Sequence, residues 1–409
     1  MTTRAASSKP RPRSLAAWSR ATEARQIDRV HHELKAARQR WLQLDPAERE
    51  RLAMEAAETR GAELTLAYRN LVMVASGMKV RRATDGSHRT LRQPCVIFVV
   101  RRKWSADTAA AGGRQHLPRE LLAYATVGER RQLVAIPTDV QPQDWFAGAR
   151  SHGASSVDVL DATTPGTRGT LTCAVRVENE TGAVQTMLLS AMHVFSPVPL
   201  ANSGARATGT SLQPTGGGAT IGRTLATSGQ IRDDGALSFD VQLATIDDRP
   251  GVRRALADLG LSIETPWVRG AASFSALNGR EFEIVRPTNV PDARGSLRAR
   301  FRSYVGPAQT LDYWVRYGGA VQRVAVSHRQ LLQFEVLEQD LPGPAEGDSG
   351  SAIVVSLPQG GRTLAGLYIG GPEGGAYAYA IPAWDLVTLD DWLGLPAGTV
   401  SVEPIDNLG

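Results

Sequence analysis

The chain has 409 residues and a mass of 43.9 kDa, a length that favours two or three domains over one. Its hydrophobic fraction of 42% excludes a wholly disordered chain. The net charge of +5 hides an asymmetry, because residues 1–150 hold 27 basic and 15 acidic side chains (27 − 15 = +12) and residues 151–409 hold 19 and 26 (19 − 26 = −7), which indicates at least two units with different surfaces.

Cysteine usage and hydropathy limit the compartment and the classes of site. No apolar run approaches the roughly 18 residues needed to span a bilayer, and the purest run, 95–100, is typical of a buried strand. The two cysteines, Cys95 and Cys173, lie far apart, which excludes a disulfide scaffold and a Cys-x-x-Cys metal cluster. The first twenty residues lack the apolar core of a signal peptide. We therefore expect a cytoplasmic protein without membrane association, metal or cofactor.

The first 150 residues are predicted to hold a tail, a helical hairpin and a small α+β domain. Residues 1–19 form a flexible basic tail, and the hairpin occupies 20–60. Its first helix has apolar residues three and four apart, ending at Ala37 and Trp41. Asp45-Pro46 provides the N-cap and first-turn proline of the second helix, which we expect to end near Ala57. In the α+β domain, 61–150, we predict strands over 70–80 and 94–101 and a short helix around 116–122.

Beyond about residue 166 the pattern changes to short apolar runs punctuated by Gly, Pro and Asp, which predict a sandwich or barrel. The predicted strands are 171–178, 184–190, 219–225, 238–245, 281–285, 313–317, 331–337, 352–357, 363–369 and 376–381. Residues 382–393 are expected to form a closing helix, followed by a tail over 396–409. The Gly-rich stretches 216–218 and 370–375 do not open a helix, so they give no support to nucleotide binding.

The most informative motif is Gly347-Asp348-Ser349-Gly350, immediately before an apolar run. A serine on a tight Gly-flanked turn can present its hydroxyl while neighbouring N–H groups converge to form an oxyanion hole. Taken alone, the motif favours a Gly-rich turn without a catalytic role. A serine hydroxyl is a poor nucleophile without a base, so the interpretation requires a suitably placed imidazole.

Of the seven histidines, His193 has the setting of a catalytic base, because it ends an apolar strand and precedes a polar loop. A satisfied core histidine is the alternative. Asp240 lies in an apolar alternation, where a buried carboxylate needs a donor such as an imidazole N–H. The remaining histidines are predicted to be solvated at the surface: His31, His32, His88, His116, His152 and His328.

The order His193, Asp240, Ser349 resembles that of the chymotrypsin/trypsin superfamily of serine peptidases, over about residues 166–393. Residues 188–194 are similar to the strand that delivers the family's histidine, and 366–371 to one wall of its pocket. The resemblance implies a mostly β fold with two six-stranded antiparallel β-barrels over 160–395. Residues 98–103 and 136–140 are reminiscent of the unit that precedes the peptidase in Narrow-leaf-type trypsin-like proteins, a likeness that assigns no residue roles.

The resemblance also implies roles. Ser349 would be the nucleophile, His193 the general base and acid, and Asp240 its orienting group. The backbone N–H groups of Gly347 and Ser349 would form the oxyanion hole. The substrate pocket would contain Gly343, Glu346, Gly371 and Gly375. A floor without a carboxylate implies a preference for bulky apolar residues, although Glu346 at the rim could admit basic groups.

Two departures from the family bear on regulation. Val194 stands where secreted members have a disulfide-bonded cysteine, and no Ile-Val-Gly-Gly sequence exists for activation by a freed N-terminus. Insertions at 197–218 and 249–277 could cover the cleft, which suggests a site activated by a partner protein.

The leading hypothesis is a cytoplasmic serine endopeptidase that acts on a protein or peptide substrate and is regulated by its N-terminal part. The alternative is a catalytically silent trypsin-like barrel that binds proteins. A nucleic-acid partner is disfavoured, because the basic residues alternate with Glu along the predicted helices and form no dense patch with aromatic residues.

Overall fold

The structure is a computed structural model that describes residues 31–82, 88–103, 116–142, 149–150, 157–160, 167–178, 183–195, 210–215, 217–225, 237–259, 267–287, 295–305, 309–317, 320–338, 348–358, 360–371, 377–386 and 401–404. The helices are α1 (residues 31–43), α2 (Pro46–Ala67), α3 (Met192–Phe195), α4 (Arg249–Asp258), α5 (Ala271–Ser275) and α6 (Ala383–Leu386). The strands before residue 240 are β1 (Leu71–Arg82), β2 (His88–Val100), β3 (Glu120–Val127), β4 (Arg130–Pro142), β5 (Ala149–Arg150), β6 (Val157–Leu160), β7 (Thr167–Gly169), β8 (Cys173–Glu178), β9 (Val184–Ser190), β10 (Ser211–Pro214), β11 (Gly222–Arg223) and β12 (Leu237–Ser238). The later strands are β13 (Gln242–Ala244), β14 (Glu281–Ile284), β15 (Leu297–Val305), β16 (Gln309–Tyr317), β17 (Ala320–His328), β18 (Leu331–Val336), β19 (Ala352–Ser356), β20 (Arg362–Gly370), β21 (Tyr377–Pro382) and β22 (Ser401–Pro404).

The N-terminal part packs α1 and α2 on strands β1 to β4. Asp45 caps α2 by accepting a hydrogen bond from the Glu48 N–H at 2.8 Å, and Pro46 fills the first turn, as the sequence predicts. Trp41 and Leu52 bury against Phe98 of β2 in one core cluster. The strands follow the order β1-β2-β4-β3, with β2 and β4 parallel.

Two predictions for this part are wrong. The helix α2 continues to Ala67, past its predicted end near Ala57, because Leu64 on its last turns is buried. The predicted short helix around 116–122 is absent, since Glu120 begins β3, whose residues alternate between burial and exposure against β4. Leu121 and Ala125 face the core there and Tyr124 faces solvent, which is a period of two rather than 3.6.

Six strands pair in a closed cycle of antiparallel ladders: β14, β15, β18, β21, β20, β19 and back to β14. We call this set the six-strand ring. In its core cluster Phe274 stacks on Phe282, and Phe334 meets both rings edge to face. The strand β1 pairs with β15, so the N-terminal sheet continues from the ring into one ten-stranded sheet.

The family resemblance of the sequence implies two six-stranded barrels. The described strands do not confirm a pair of barrels. Beyond the ten-stranded sheet they form three four-stranded sheets, with orders β11-β10-β6-β7, β12-β17-β16-β5 and β13-β9-β8-β22. The predicted strand 238–245 is divided into β12 and β13, with Asp240 in the extended stretch between them. Of the predicted closing helix, the described part is α6.

Beyond residue 150 the described chain is mostly β. The turn that carries Ser349 and the end of β9 both lie in this part. Among the described residues, no helix has both the length and the apolar character needed to cross a membrane.

Candidate active site

The positions of His193 and Asp240 follow from the pairing of two strands. The strand β13 runs antiparallel to β9 with Gln242 opposite Ser190. Asp240 precedes this pair on one strand and His193 follows it on the other, so the register brings the two side chains together. His193 lies in a single helical turn, α3. The Ala191 carbonyl accepts hydrogen bonds from the N–H groups of Val194 and Phe195, at 3.1 and 3.3 Å.

The two side chains make a two-point contact. The His193 Nδ1 atom lies 2.5 Å from Asp240 Oδ2, and the His193 backbone N–H donates to Asp240 Oδ1 at 3.0 Å. His193 is 5% exposed and Asp240 is completely buried. Because Asp240 is a pure acceptor when ionised, this contact places the imidazole proton on Nδ1 and leaves Nε2 as the basic nitrogen.

Electrostatics keep the Asp240 carboxyl ionised. Burial by itself would raise its pKa, but the charge of His193 and the hydrogen bonds from its ring and backbone outweigh burial, with His328 adding to the effect. The net result is an Asp240 pKa below its ordinary value. The carboxylate can therefore orient a histidine and stabilise its protonated form.

Ser349 lies in a turn that is bonded to the segment before β8. Its carbonyl accepts from the Thr170 N–H at 3.0 Å, and the Thr172 hydroxyl donates to the Gly350 carbonyl at 2.6 Å. The Thr170 carbonyl in turn accepts from the Ser190 hydroxyl at 2.6 Å, three residues before His193. The turn thus packs against the strand end that leads to His193. Ser349 is 1% exposed and its hydroxyl donates to the Ile369 carbonyl at 3.4 Å.

Gly350 shows why this turn requires a glycine after the serine. Its φ of +91° is in the left-handed region, and a Cβ there would lie 2.0 Å from the Thr170 carbonyl oxygen and 2.3 Å from the Ser190 hydroxyl. Close approach of the Thr170 backbone and the Ser190 side chain therefore requires glycine at this position of the motif.

His328 is a third buried group at the site, and the prediction that it is a surface residue is wrong. It is 1% exposed and lies opposite Ser238 in the parallel β12–β17 ladder. Ser238 is two residues before Asp240, so the pairing brings His328 near the carboxylate. Burial lowers the His328 pKa to about 4, with Asp240 opposing that shift and His193 reinforcing it. The imidazole is thus neutral at physiological pH. His31, His32 and His116 are exposed, as predicted, and the side chains of His88 and His152 lie outside the described residues.

A buried ion pair lies directly beside Ser349. Arg286 Nη1 is 3.5 Å from Asp348 Oδ2, and both side chains are 2% exposed. The Arg286 Nε–H also donates to the Gly295 carbonyl at 2.6 Å. A buried carboxylate next to the candidate nucleophile is stable only with such a partner. Arg286 was not predicted from the sequence, and its one local signal is its place after Ile284 and Val285, at the end of the alternating strand β14.

The remaining predicted site residues are only partly described. Gly347, Gly343, Glu346 and Gly375 lie outside the described residues. Gly371 is buried, and a Cβ there would come 2.2 Å from the Tyr377 carbonyl oxygen, so backbone approach is by itself a sufficient reason for a glycine.

The described cysteines do not offer a competing nucleophile. Burial raises the pKa of Cys95 well above its ordinary value and that of Cys173 to about 12, so neither thiol ionises at neutral pH. Within the described part of the chain, no group of three or more His, Cys, Asp or Glu side chains is arranged to hold a metal ion.

No family model matches the chain, and no curated protein matches its sequence. Among solved structures, the NS6 protease from murine norovirus 1 is similar over 48% of this chain and 80% of that chain, with 16% identity and a TM-score of 0.25. A chimeric, inactive NS6 protease of murine norovirus gives 14% identity over 48% and 82% of the two chains, with a TM-score of 0.24. TM-scores this low do not establish a shared fold or function.

Proposed function

We propose that the protein is a cytoplasmic serine endopeptidase that uses Ser349, His193 and Asp240. The observation that carries the proposal is the buried two-point contact between His193 and Asp240, beside the turn that holds Ser349. An aspartate that accepts from both the ring and the backbone of one histidine sets its tautomer and its orientation, which is the requirement for a general base at Nε2.

The chemistry would proceed through an acyl-enzyme. Ser349 Oγ would attack the substrate carbonyl carbon while His193 Nε2 takes the hydroxyl proton. The N–H groups of Gly347 and Ser349 would stabilise the oxyanion. His193 would then donate that proton to the leaving amine as the peptide bond breaks. A water molecule, deprotonated by His193, would hydrolyse the ester and return Ser349 to its starting state.

Substrate choice and regulation extend the proposal. We propose that the substrate pocket contains Gly343, Glu346, Gly371 and Gly375 and that it prefers a bulky apolar residue. We also propose that the fold has two barrels, the second of which would be the six-strand ring. The N-terminal part would regulate the site or recruit a partner protein to it. Pairing of β1 with β15 supports this role, because it connects the N-terminal sheet directly to the ring.

Labelling with a fluorophosphonate tests the nucleophile. We expect the wild-type protein to be labelled and the Ser349→Ala protein to be unlabelled. Ser351→Ala is the matched control, since Ser351 is equally buried two residues away and its hydroxyl has no hydrogen-bond partner among the described residues. Labelling that survives in Ser349→Ala, or is lost in Ser351→Ala alone, excludes Ser349 as the nucleophile.

A catalytically silent binding module remains the second candidate. The observation that favours it is the Ser349 hydroxyl, which is almost fully buried and donates to the Ile369 carbonyl. If that bond is permanent, the hydroxyl cannot reach a substrate. Absence of labelling in the wild-type protein, both alone and in cell lysate that could supply a partner, would support the silent module.

A further inference from the structure

A cavity of about 430 Å³ lies between the start of α2 and the segment after α5. Arg49 and Glu50 of α2, Arg92 of β2 and Asn278 after α5 contribute to its wall. We call it the seam cavity, because its wall comes from both halves of the chain. Its volume lies within the range of about 300–1,000 Å³ that is usual for small-molecule sites.

Two buried polar atoms at the seam cavity make no hydrogen bond within the described part of the chain. They are the donor Arg49 Nε and the acceptor Asn278 Oδ1. Glu50 is 5% exposed, and its carboxyl accepts hydrogen bonds from the Asn278 amide and the Ser275 hydroxyl. Since buried polar groups are nearly always paired, an unpaired donor and an unpaired acceptor at one cavity indicate that a polar group enters it.

The charges of the wall favour an anionic group. The charged residues that line the cavity are three arginines, Arg49, Arg92 and Arg300, and two acids, Asp45 and Glu50. Asp45 already serves as the cap of α2. Burial raises the pKa of Glu50 from 4.5 to about 7, with hydrogen bonds and Arg49 opposing the shift, so its carboxyl is only partly ionised at neutral pH. The wall is therefore positive overall.

We propose that the seam cavity binds a carboxylate on a small apolar body with an N–H donor beside it, that is, an apolar α-amino acid or the carboxy-terminal residue of a short peptide. The carboxylate would pair with Arg49, and the N–H would donate to Asn278 Oδ1. The apolar side chain would lie against Met78 and Phe301, which also line the cavity.

This site is separate from the proposed peptidase chemistry. None of His193, Asp240 and Ser349 contributes to the wall of the seam cavity. Binding would connect α2 to the segment after α5, so it would stabilise the contact between the two halves of the chain whether or not Ser349 is a nucleophile.

Calorimetric titration of the full-length protein tests the proposal with three probes. L-leucine represents the free amino acid, N-acetyl-L-leucine represents a peptide terminus, and L-leucinamide lacks the carboxylate. We expect one or both carboxylates to bind with a Kd in about the millimolar range or tighter, and leucinamide at least about tenfold more weakly. Which carboxylate binds more tightly identifies the source of the ligand.

Variants localise the binding. Arg49→Gln should weaken carboxylate binding about tenfold, because the guanidinium is the proposed partner of the carboxylate. Arg131→Gln is the control, since Arg131 is exposed on β4 beside Tyr124. The proposal is overturned if neither carboxylate binds, if leucinamide binds with equal affinity, or if Arg49→Gln keeps full affinity. Binding is read without enzymatic turnover, so its failure is distinct from a failure of the peptidase proposal.

Discussion

The imidazole of His328 and the carboxylate of Asp240 are buried groups whose ionisation is set by opposite effects. For Asp240, the hydrogen bonds and charge of His193 overcome the cost of burial, and the group stays ionised. For His328, burial overcomes the attraction of Asp240, and the group stays neutral. His193 is therefore the main partner that keeps the Asp240 carboxyl ionised.

We predict that His328 makes folding stability fall on acidification. Its pKa is about 4 when folded and 6.5 ordinarily, so the unfolded chain binds more protons in that window and stability is lost as the pH falls from 6.5 toward 4. The contribution lost between about pH 7 and pH 5 is about 2 kcal/mol.

Urea unfolding at those two pH values measures this contribution. His328→Gln, which cannot take up a proton, should lose about 2 kcal/mol less than the wild type between them. His116→Gln, at an exposed position, should behave as the wild type. The same pH dependence in His328→Gln and the wild type would show that His328 is not buried in the neutral form.

At the scale of elements, the site depends on a turn and two strand ends meeting. The turn after β18 and before β19 is held by the Gly350 N–H to the Tyr368 carbonyl at 2.8 Å and by the bonds to Thr170 and Thr172. These contacts join residues that are far apart in the chain. The geometry of the turn therefore depends on its contacts with β20 and with the segment before β8.

We predict that Gly350→Ala strongly destabilises the protein, by at least about 3 kcal/mol, because a Cβ adds a clash with the Thr170 carbonyl to the cost of a positive φ. Gly360→Ala is the matched control: its φ is +90°, and a Cβ there meets nothing within 4 Å. It should cost only the backbone strain, about 1–2 kcal/mol. Chemical denaturation of both variants gives the comparison, and equal losses would contradict a close approach at Gly350.

At the scale of the whole molecule, the two halves meet through polar contacts as well as through a shared sheet. Arg92 donates to the Gly279 carbonyl at 2.7 Å, and the Thr90 hydroxyl donates to Glu335 at 2.6 Å. Glu50 of α2 reaches Asn278 on the other side. The opposite net charges of the halves predicted a mutual attraction, and these hydrogen bonds show where the halves touch.

We predict that Glu50 makes this junction weaker as the pH rises. Folding raises the Glu50 pKa from 4.5 to about 7. The contribution of Glu50 to folding stability is therefore fully present below pH 4.5 and is lost as the pH rises through about 7. Between about pH 5 and pH 8 the wild type should lose 2–3 kcal/mol that Glu50→Gln does not lose. Denaturation at the two pH values tests this. An exposed control, Glu55→Gln, should match the wild type, and an unchanged pH dependence in Glu50→Gln would contradict the prediction.

Most single elements could be predicted because their signals are local. The Asp45-Pro46 cap, the apolar run of β2 and the strand 184–190 match the structure. Other local signals were present and overlooked: in β15, Arg298 and Arg300 alternate with Leu297, Ala299 and Phe301, which is the period of a strand. The burial of His328 has the same signal, since Val326 shares its face of β17.

Local sequence patterns indicate which residue types could do chemistry and where each lies in its segment: a serine on a glycine turn, a histidine at a strand end and an aspartate among apolar residues. The contact of His193 with Asp240, the pairing of Arg286 with Asp348 and the place of Glu50 at the seam cavity appear only in the folded chain. They do so because strand register and burial depend on segments far apart in the chain. Those contacts determine the pKa of a buried group and the partner it finds, and no local pattern carries that information.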